Sequence, residues 1–397
     1  MTVNTFVLRL LKAWIARRIV ASIGPELPEA PFIVTANHTS YFDHFVIAFW
    51  LLSQGRAYPR FLSKSELFEQ PISAWFNRLG GGIPVARDKV DAEAFARAKE
   101  VLDDGGIFIM YAEGTRSPDG WLRAPRRGIA SLAAEAGVPV VPVGLFGTNQ
   151  VQPIGSKWPR RKRRIVIHNA APVAAPRDDR KTKQEYAREV FEVIAALTAQ
   201  WPSFVGTPDF RTPPLSPALS ERAAAAHALV ERGFGTSGQR AVMHFQEAWR
   251  LTRGSRDPYV LLEGGRAVGQ LALHTSNPFK QLSYALQSRR AIWKSVRRVP
   301  DYPLAWHVWA SLLEQLPSWL GGDELAAQTG HRVAISIDPY WSRAVMHAAL
   351  TYRKYDRPSE AERWLQHLIQ LPVKEPGDAA RLDRARELQA DWQLGNA

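Results

Sequence analysis

Residues 31–43 have the sequence PFIVTANHTSYFD, in which an apolar strand pattern runs directly into a polar loop. The strand pattern, residues 31–36, delivers His38 and Asp43 together at its carboxyl end, which is where ligand sites lie in α/β sheets. Five residues along a straight helix would point these two side chains about 140° apart. We therefore expect a turn or a helix start between them, which lets the imidazole and the carboxylate meet.

Similar apolar runs alternate with helical patterns on both sides of this stretch. This alternation predicts an α/β domain with a central, mainly parallel sheet over residues 1–205. The predicted strands are residues 31–36, 106–111, 138–143 and 164–168, and the predicted helices are 91–102, 128–136 and 183–199.

The pair of His38 and Asp43 suits general-base chemistry. With the carboxylate accepting from one ring nitrogen, the other nitrogen stays basic and can take a proton from an attacking hydroxyl. Taken alone, the same spacing is more typical of a surface histidine followed by a helix-capping aspartate. The pair thus needs support from other segments.

Three further segments supply that support. The first, GGGIPVAR at 80–87, places glycines before Arg87, and the second, AEGTRS at 112–117, follows a strand pattern. Glu113 can bond a substrate hydroxyl, whereas Arg87 and Arg116 together can neutralise a phosphomonoester. The third, VPVVPVGLFGT at 138–148, predicts a buried strand that ends at Gly147 and Thr148.

The order of these segments resembles the glycerolipid acyltransferase family that includes the lysophosphatidic acid acyltransferases. Residues 30–174 match its Asn-His-x4-Asp, Gly-x-x-Phe-x-x-Arg, Phe-Pro-Glu-Gly-Thr-Arg-Ser and Val-Pro-Val-x-Pro-Val blocks, and also contain RFLSKSEL at 60–67. The resemblance implies an acyl-CoA or acyl-carrier-protein donor, a lysophospholipid acceptor such as 1-acylglycerol-3-phosphate, and no cofactor. The roles it implies are His38 as base, Asp43 as its orienting partner, Arg87, Glu113, Gly114 and Arg116 on the acceptor, Thr115 shaping that pocket and Lys64 adding charge.

Two departures from the family pattern bear on the acceptor. Tyr111 and Ala112 stand where the family has Phe-Pro, and Ile83 stands where its second block has an aromatic residue. Neither change removes a charged group, so the catalytic prediction is unaffected while the identity of the acceptor stays open. A non-phosphorylated lipid acceptor is the second hypothesis.

The basic composition indicates a polyanionic partner, namely nucleic acid, an anionic membrane surface or acidic substrates, and for a lipid enzyme the membrane surface is expected. The formal net charge is +13, and the run WPRRKRR at 158–164 lacks the interleaved aromatics that base stacking needs, so nucleic acid is not expected. Residues 1–23 carry Val7, Leu10, Leu11, Trp14 and Ile15 at helical spacing, which predicts an amphipathic helix that either packs on its own domain or lies on an anionic membrane. Charges interrupt this segment, so we expect no membrane span and a cytoplasmic protein, peripheral on the inner face of the cell membrane.

A Pro-rich linker is predicted at 206–222, before a second domain at 223–397. Three similar stretches that begin at Asp257, Asp301 and Asp338 recur at intervals of about 40 residues and predict an all-α, helical-repeat domain that is tetratricopeptide-like. Its many Trp and His residues are interpreted as core packing.

With no cysteine and no metal or nucleotide motif in the sequence, no metal is expected. The repeats could bind a protein partner, and a non-catalytic lipid-docked scaffold is the rival hypothesis from another class.

Overall fold

The computed structural model describes residues 13–85, 92–156, 159–160, 163–176, 180–206, 208, 218–375 and 377–394. The chain divides into two compact units, Met1–Thr212 and Pro213–Ala397. The first unit contains the α/β architecture, and every regular element described in the second unit is helical.

A seven-stranded sheet forms the centre of the first unit, in the order β1-β7-β6-β2-β5-β3-β4. The pairing is parallel throughout except between β6 and β7, which confirms the predicted mainly parallel sheet. The strands are β1 Ile19–Ile23, β2 Phe32–Ala36, β3 Arg60–Lys64, β4 Gly82–Val85, β5 Ile107–Ile109, β6 Val140–Phe146 and β7 Ile165–Asn169.

Helices cover both faces of this sheet. They are α1 Asp43–Ser53, α2 Pro71–Leu79, α3 Ala92–Asp103, α4 Gly128–Ala136, the short α5 Thr148–Val151 and α6 Arg180–Leu197. Because side chains alternate along a strand, Ile33 of β2 lies in the core cluster with residues of α3, α4 and α6, whereas Phe32 and Val34 lie in the cluster with α1. Burial on both faces explains why β2 is a continuous apolar run.

The predicted amphipathic helix over residues 1–23 is wrong at its carboxyl end. Residues 13–16 are helical, but Ile19–Ile23 form β1, which pairs in parallel with β7. Ile15 is fully buried in the core of its own unit. Strand pairing satisfies the backbone there and buries Ala21 and Ile23 on alternate positions. Val7, Leu10 and Leu11 lie outside the described residues.

The apolar run within α1 is buried inside the first unit. Val46, Ile47 and Trp50 are each almost completely inaccessible to solvent and belong to one core cluster. Across the described residues, no helix combines the length and the apolar character that crossing a membrane requires.

The second unit is a succession of helices, each packed against the next. They are α7 Glu221–Phe234, α8 Gly238–Thr252, α9 Pro258–Leu273, α10 Pro278–Arg298, α11 Pro303–Gln315, α12 Glu324–Ile337, α13 Ser342–Lys354, α14 Pro358–Ile369 and α15 Asp378–Leu394. The three recurrent stretches precede α9, α11 and α13, as the sequence predicts. Asp257 shows why, since its carboxylate accepts from the backbone N–H groups of Tyr259 and Val260 while Pro258 starts the helix. Assignment to the tetratricopeptide class stays a prediction.

Candidate active site

The loop that follows β2 is held at the carboxyl edge of the sheet. Its side chains bond to the segment that ends β6 and begins α5, because β6 lies beside β2 and runs in the same direction. The pairs are Asn37 with the backbone N–H and C=O of Leu145 at 2.7 and 3.0 Å, Thr39 with the Thr148 hydroxyl at 3.2 Å, and Ser40 with the Gln152 carbonyl at 2.7 Å. These bonds fix the loop on which the histidine lies.

His38 and Asp43 meet as the sequence predicts. The Nδ1 atom of His38 lies 2.8 Å from Oδ2 of Asp43, which is the first residue of α1. That oxygen also accepts from the backbone N–H groups of Thr39 and Ser40, at 2.8 Å each. The turn between strand and helix therefore brings the pair together, with the carboxylate completely buried and the imidazole 14% exposed.

The geometry defines the protonation of the neutral imidazole. An ionised carboxylate only accepts hydrogen bonds, so Nδ1 of His38 carries the proton that it donates to Asp43. The Nε2 atom is then the acceptor, and it is available as a base.

Tyr111, two residues after β5, stacks on the His38 ring. The ring centroids are 3.7 Å apart and the planes differ by 10°. Its hydroxyl is buried without a hydrogen-bond partner, and burial, together with the charge of Asp43, raises the pKa of this phenol well above its ordinary value. The stack adds a second constraint on the orientation of the imidazole, which sequence reasoning missed because it treated this position only as a departure from the family pattern.

We expect Tyr111→Phe to preserve turnover and to raise the free energy of unfolding by about 1 kcal/mol, because it keeps the stack and removes an unpaired buried hydroxyl. Tyr111→Ala, which removes the stack as well, should lower both the turnover and the free energy of unfolding. Urea unfolding and steady-state kinetics of the two variants provide the measurement. A large loss of kcat in Tyr111→Phe would show instead that the hydroxyl takes part in the reaction.

Glu113 connects the histidine loop to the loop after β5. Its Oε1 accepts from the backbone N–H of His38 at 2.8 Å, and its Oε2 accepts from the backbone N–H of Arg123 at 2.9 Å. Burial raises the pKa of Glu113 from 4.5 to about 7, although these two backbone bonds act in the opposite direction. The structure thus assigns Glu113 a positioning role, while its predicted bond to a substrate hydroxyl stays a prediction.

The raised pKa of Glu113 adds to the free energy of unfolding at low pH, and this contribution decreases as the pH rises. The unfolded chain releases the proton near pH 4.5 and the folded protein near pH 7, so the folded state binds more protons in between and the free energy of unfolding falls as pH rises through that window. We expect the free energy of unfolding to fall by about 3 kcal/mol between pH 4.5 and pH 8 on account of Glu113. Glu113→Gln cannot titrate, and its amide leaves one backbone N–H without an acceptor.

The variant Glu113→Gln should therefore be less stable than the wild type by roughly 1–3 kcal/mol at pH 4.5, and the gap should narrow as pH rises to 8. Urea unfolding at a series of pH values measures this. A gap that stays constant from pH 4.5 to 8 would contradict the raised pKa.

Positive charge lies next to the histidine loop. The Arg116 guanidinium stacks on Tyr41, with its central carbon 3.7 Å from the ring centroid. Gly114 has a φ of +68°, and a Cβ there would lie 2.8 Å from the side chain of Arg126, so glycine permits this arginine to approach. Thr115, which lies between Gly114 and Arg116 in the sequence, is exposed to solvent. Arg126 is a second cation that sequence reasoning did not single out.

Comparison with known proteins finds a match within the first unit. Residues 19–145 match the family model described as Acyltransferase.

The proteins that this chain is similar to have lipid acceptors in their names. A chloroplastic 1-acyl-sn-glycerol-3-phosphate acyltransferase of Brassica napus is 34% identical over 144 residues, which are 35% of this chain and 40% of that protein. A lyso-ornithine lipid O-acyltransferase of Pseudomonas aeruginosa is 30% identical over 144 residues, 34% of this chain and 53% of that protein. The crystal structure of the 1-acyl-sn-glycerophosphate acyltransferase of Thermotoga maritima is 27% identical, with a TM-score of 0.38, and the match covers 50% of this chain and 83% of that one. The chain spans about two fifths to a half of the length of these two curated relatives.

Two predicted acceptor residues of the first unit lie partly or wholly outside the described residues. Lys64 is the last residue of β3, but its side chain lies outside the described residues, as does the whole of Arg87 two positions after β4. Their roles stay predictions. By contrast, the structure brings His38, Asp43, Glu113 and Thr148 together, because β2, β5 and β6 are parallel neighbours.

A second histidine of the first unit, His44, lies beside the pair. Its ring contacts Phe45 and Phe61, with centroids 4.3 and 4.2 Å away. Burial, followed by the positive charge of His38 and Arg116, lowers the pKa of His44 to about 3. It is therefore a much weaker base than an ordinary histidine, and it has no carboxylate partner like that of His38 among the described contacts.

Proposed function

We propose that this protein transfers a fatty acyl group from a thioester to the hydroxyl of a lysophospholipid, with 1-acylglycerol-3-phosphate as the acceptor. One observation carries the proposal: the His38–Asp43 pair, in which the carboxylate fixes Nδ1 and leaves Nε2 as a base. The family match of residues 19–145 and the names of the relatives support it.

In the proposed reaction, Nε2 of His38 takes the proton from the acceptor hydroxyl as its oxygen attacks the thioester carbonyl. The C–O bond forms, the tetrahedral intermediate collapses, and the C–S bond breaks. The imidazolium returns its proton to the departing thiolate, so the base is regenerated. Asp43 stabilises the imidazolium and keeps its orientation throughout.

The donor is an activated acyl group, acyl-CoA or acyl-carrier protein. A thioester needs no covalent enzyme intermediate, and the sequence contains no cysteine that could form one by thiol exchange. The acyl group can therefore pass directly from the thioester to the acceptor hydroxyl, with His38 as the base.

A phosphate on the acceptor fits the cations near the pair. Arg116 stacks on Tyr41 of the histidine loop, and the side chain of Arg126 lies against Gly114, two residues before Arg116. A guanidinium can bind a phosphate through two parallel hydrogen bonds, which an ammonium cannot do. The proposal therefore places the acceptor headgroup at Arg116.

The variant Arg116→Lys keeps the charge and loses the planar fork. We expect it to raise the KM for 1-acylglycerol-3-phosphate about tenfold or more, while the KM for the acyl thioester changes little. Steady-state kinetics with each substrate varied in turn measure the two constants. An unchanged acceptor KM would contradict phosphate binding at Arg116.

A second acceptor class has its own support, since one relative is named for an ornithine lipid in place of a glycerol phosphate. The test is an acyl-transfer assay of the purified protein with one labelled acyl thioester and a panel of lysolipids, with and without a phosphate. Preference for phosphate-bearing acceptors supports the first proposal, and equal use of phosphate-free acceptors supports the second. Transfer to none of them would favour the scaffold hypothesis.

We also propose that the protein works at an anionic membrane surface, where its acceptor resides. The net charge of +13 supports this, since basic side chains near anionic headgroups contribute about 1 kcal/mol each. A protein partner of the second unit is a further proposal, based on the surfaces that stacked helices usually offer.

A further inference from the structure

Three successive helices of the second unit bring metal-ligating side chains together. Glu314 lies on α11, His331 on α12 and His347 on α13. Glu314 Oε1 is 3.5 Å from Nε2 of His331 and 3.7 Å from Nε2 of His347. One ligand atom from each residue lies within 4.8 Å of the others.

The histidines of this cluster have nitrogens that protein contacts leave unsatisfied. His331 is only 3% exposed, and neither of its ring nitrogens has a hydrogen-bond partner in the described structure. Nε2 of His347 is also buried without a hydrogen bond, so the contacts with Glu314 are close without the geometry of hydrogen bonds. Buried polar atoms are almost always paired, and an ion that accepts their lone pairs would supply what is absent here.

A fourth imidazole lies beside the three ligands. His307 precedes Glu314 by two helical turns on α11, which places both on one face of that helix. Its ring centroid is 5.1 Å from that of His331 and 5.8 Å from that of His347, and its Nδ1 is likewise buried without a partner. The imidazole of His307 thus borders the three side chains whose ligand atoms lie together.

The distances and chemistry suit a transition metal. With bonds of 2.0–2.2 Å, the ligand atoms of a tetrahedral zinc site lie about 3.3–3.5 Å apart, close to the Glu314 contacts. Imidazole nitrogens favour zinc, copper or nickel, whereas calcium and magnesium prefer sites built from oxygen.

We propose that Glu314, His331 and His347 bind one divalent transition-metal ion of the zinc class, with a fourth position open toward His307. The ion would join α11, α12 and α13, which are consecutive in sequence and contribute no short ligand motif. This site lies wholly within the second unit and does not depend on the acyl-transfer proposal.

The test uses the full chain without a polyhistidine tag, stripped with a chelator and then titrated with Zn²⁺ against a chromophoric competitor. We expect one Zn²⁺ per chain, and a rise of about 5–10 °C in the Tm of the second unit at a hundredfold excess over Kd. Co²⁺ should give the visible absorption of a tetrahedral site, and Mg²⁺ at equal concentration should have no effect. Absence of stoichiometric Zn²⁺ binding, or equal stabilisation by Mg²⁺, would overturn the proposal.

Two ligand variants and a matched control connect binding to the cluster. Glu314→Gln and His347→Gln should each weaken Zn²⁺ binding at least about tenfold, because each removes a direct ligand. The exposed side chain of Glu314 makes its variant safe for the fold even where a change at buried His331 is not. His274→Gln, at an exposed histidine after α9, should bind as the wild type does. Binding that is unchanged in both ligand variants would place the ion elsewhere and overturn the assignment.

Discussion

His38→Ala should reduce kcat for acyl transfer by about 10² to 10⁴-fold, which is the usual contribution of a positioned general base. The substitution removes Nε2, the atom proposed to take the proton from the acceptor hydroxyl. It leaves the anchors of the loop intact, since Glu113 bonds the backbone N–H of residue 38, and Asn37, Thr39 and Ser40 keep their contacts. Steady-state kinetics and circular dichroism of the same preparation measure activity and fold.

The neighbouring histidine offers a matched control for this prediction. His44→Phe keeps a ring against Phe45 and Phe61, and should retain most of the activity because His44 has no role as a base in the proposal. Near-normal turnover by a folded His38→Ala protein, or a comparable loss in His44→Phe, would contradict the assignment of the base.

Asp43→Asn should lower kcat by about 10² to 10⁴-fold with little change in the fold. One atom, Oδ2 of Asp43, accepts from Nδ1 of His38 and from the backbone N–H groups of Thr39 and Ser40, so only the amide oxygen of the variant can replace it there. The amide keeps these three bonds and the tautomer of His38, but it carries no negative charge to stabilise the imidazolium that forms during proton transfer.

Thermal unfolding and kinetics over a range of pH provide the measurement for Asp43→Asn. A thermal midpoint near that of the wild type, together with the loss of turnover, supports stabilisation of the His38 imidazolium by the carboxylate of Asp43. A variant that folds and keeps wild-type kcat would show that the carboxylate has no part in the reaction.

The strands that sequence analysis could predict are those with continuous apolar runs. Strands β2 and β6 are buried on both faces, so their sequences are almost entirely apolar. Such runs are recognisable between polar segments without any alternation of side chains. Strands β3 and β4 are short and contain Arg60, Lys64 or Pro84, and β1 follows a helical pattern, so each is identifiable only through its partner in the sheet.

The candidate site shows the same limit. Sequence analysis predicted that His38 and Asp43 would meet at the end of a strand, because strand, turn and helix start are local features. The bonds of Glu113 to the backbone of His38 and Arg123, and the stack of Tyr111 on His38, depend on the adjacency of β2 and β5. A single sequence does not determine which strands are neighbours.

The histidines of the second unit illustrate this in another way. Their helical spacing was interpreted as core packing, and the absence of a ligand motif led to the expectation of no metal. The proposed ligands come from three different helices. Their convergence depends on how these helices pack, and no regular spacing in the sequence indicates it.

The most direct test of the central claim is identification of the product. Purified protein, a labelled acyl thioester and 1-acylglycerol-3-phosphate are incubated together, and the lipids are analysed by mass spectrometry beside a parallel reaction with His38→Ala. The account predicts a diacylglycerol phosphate carrying the label, one free thiol released per ester formed, and neither product above background with the variant. Release of free fatty acid in place of the ester, or equal ester formation by the variant, would contradict it.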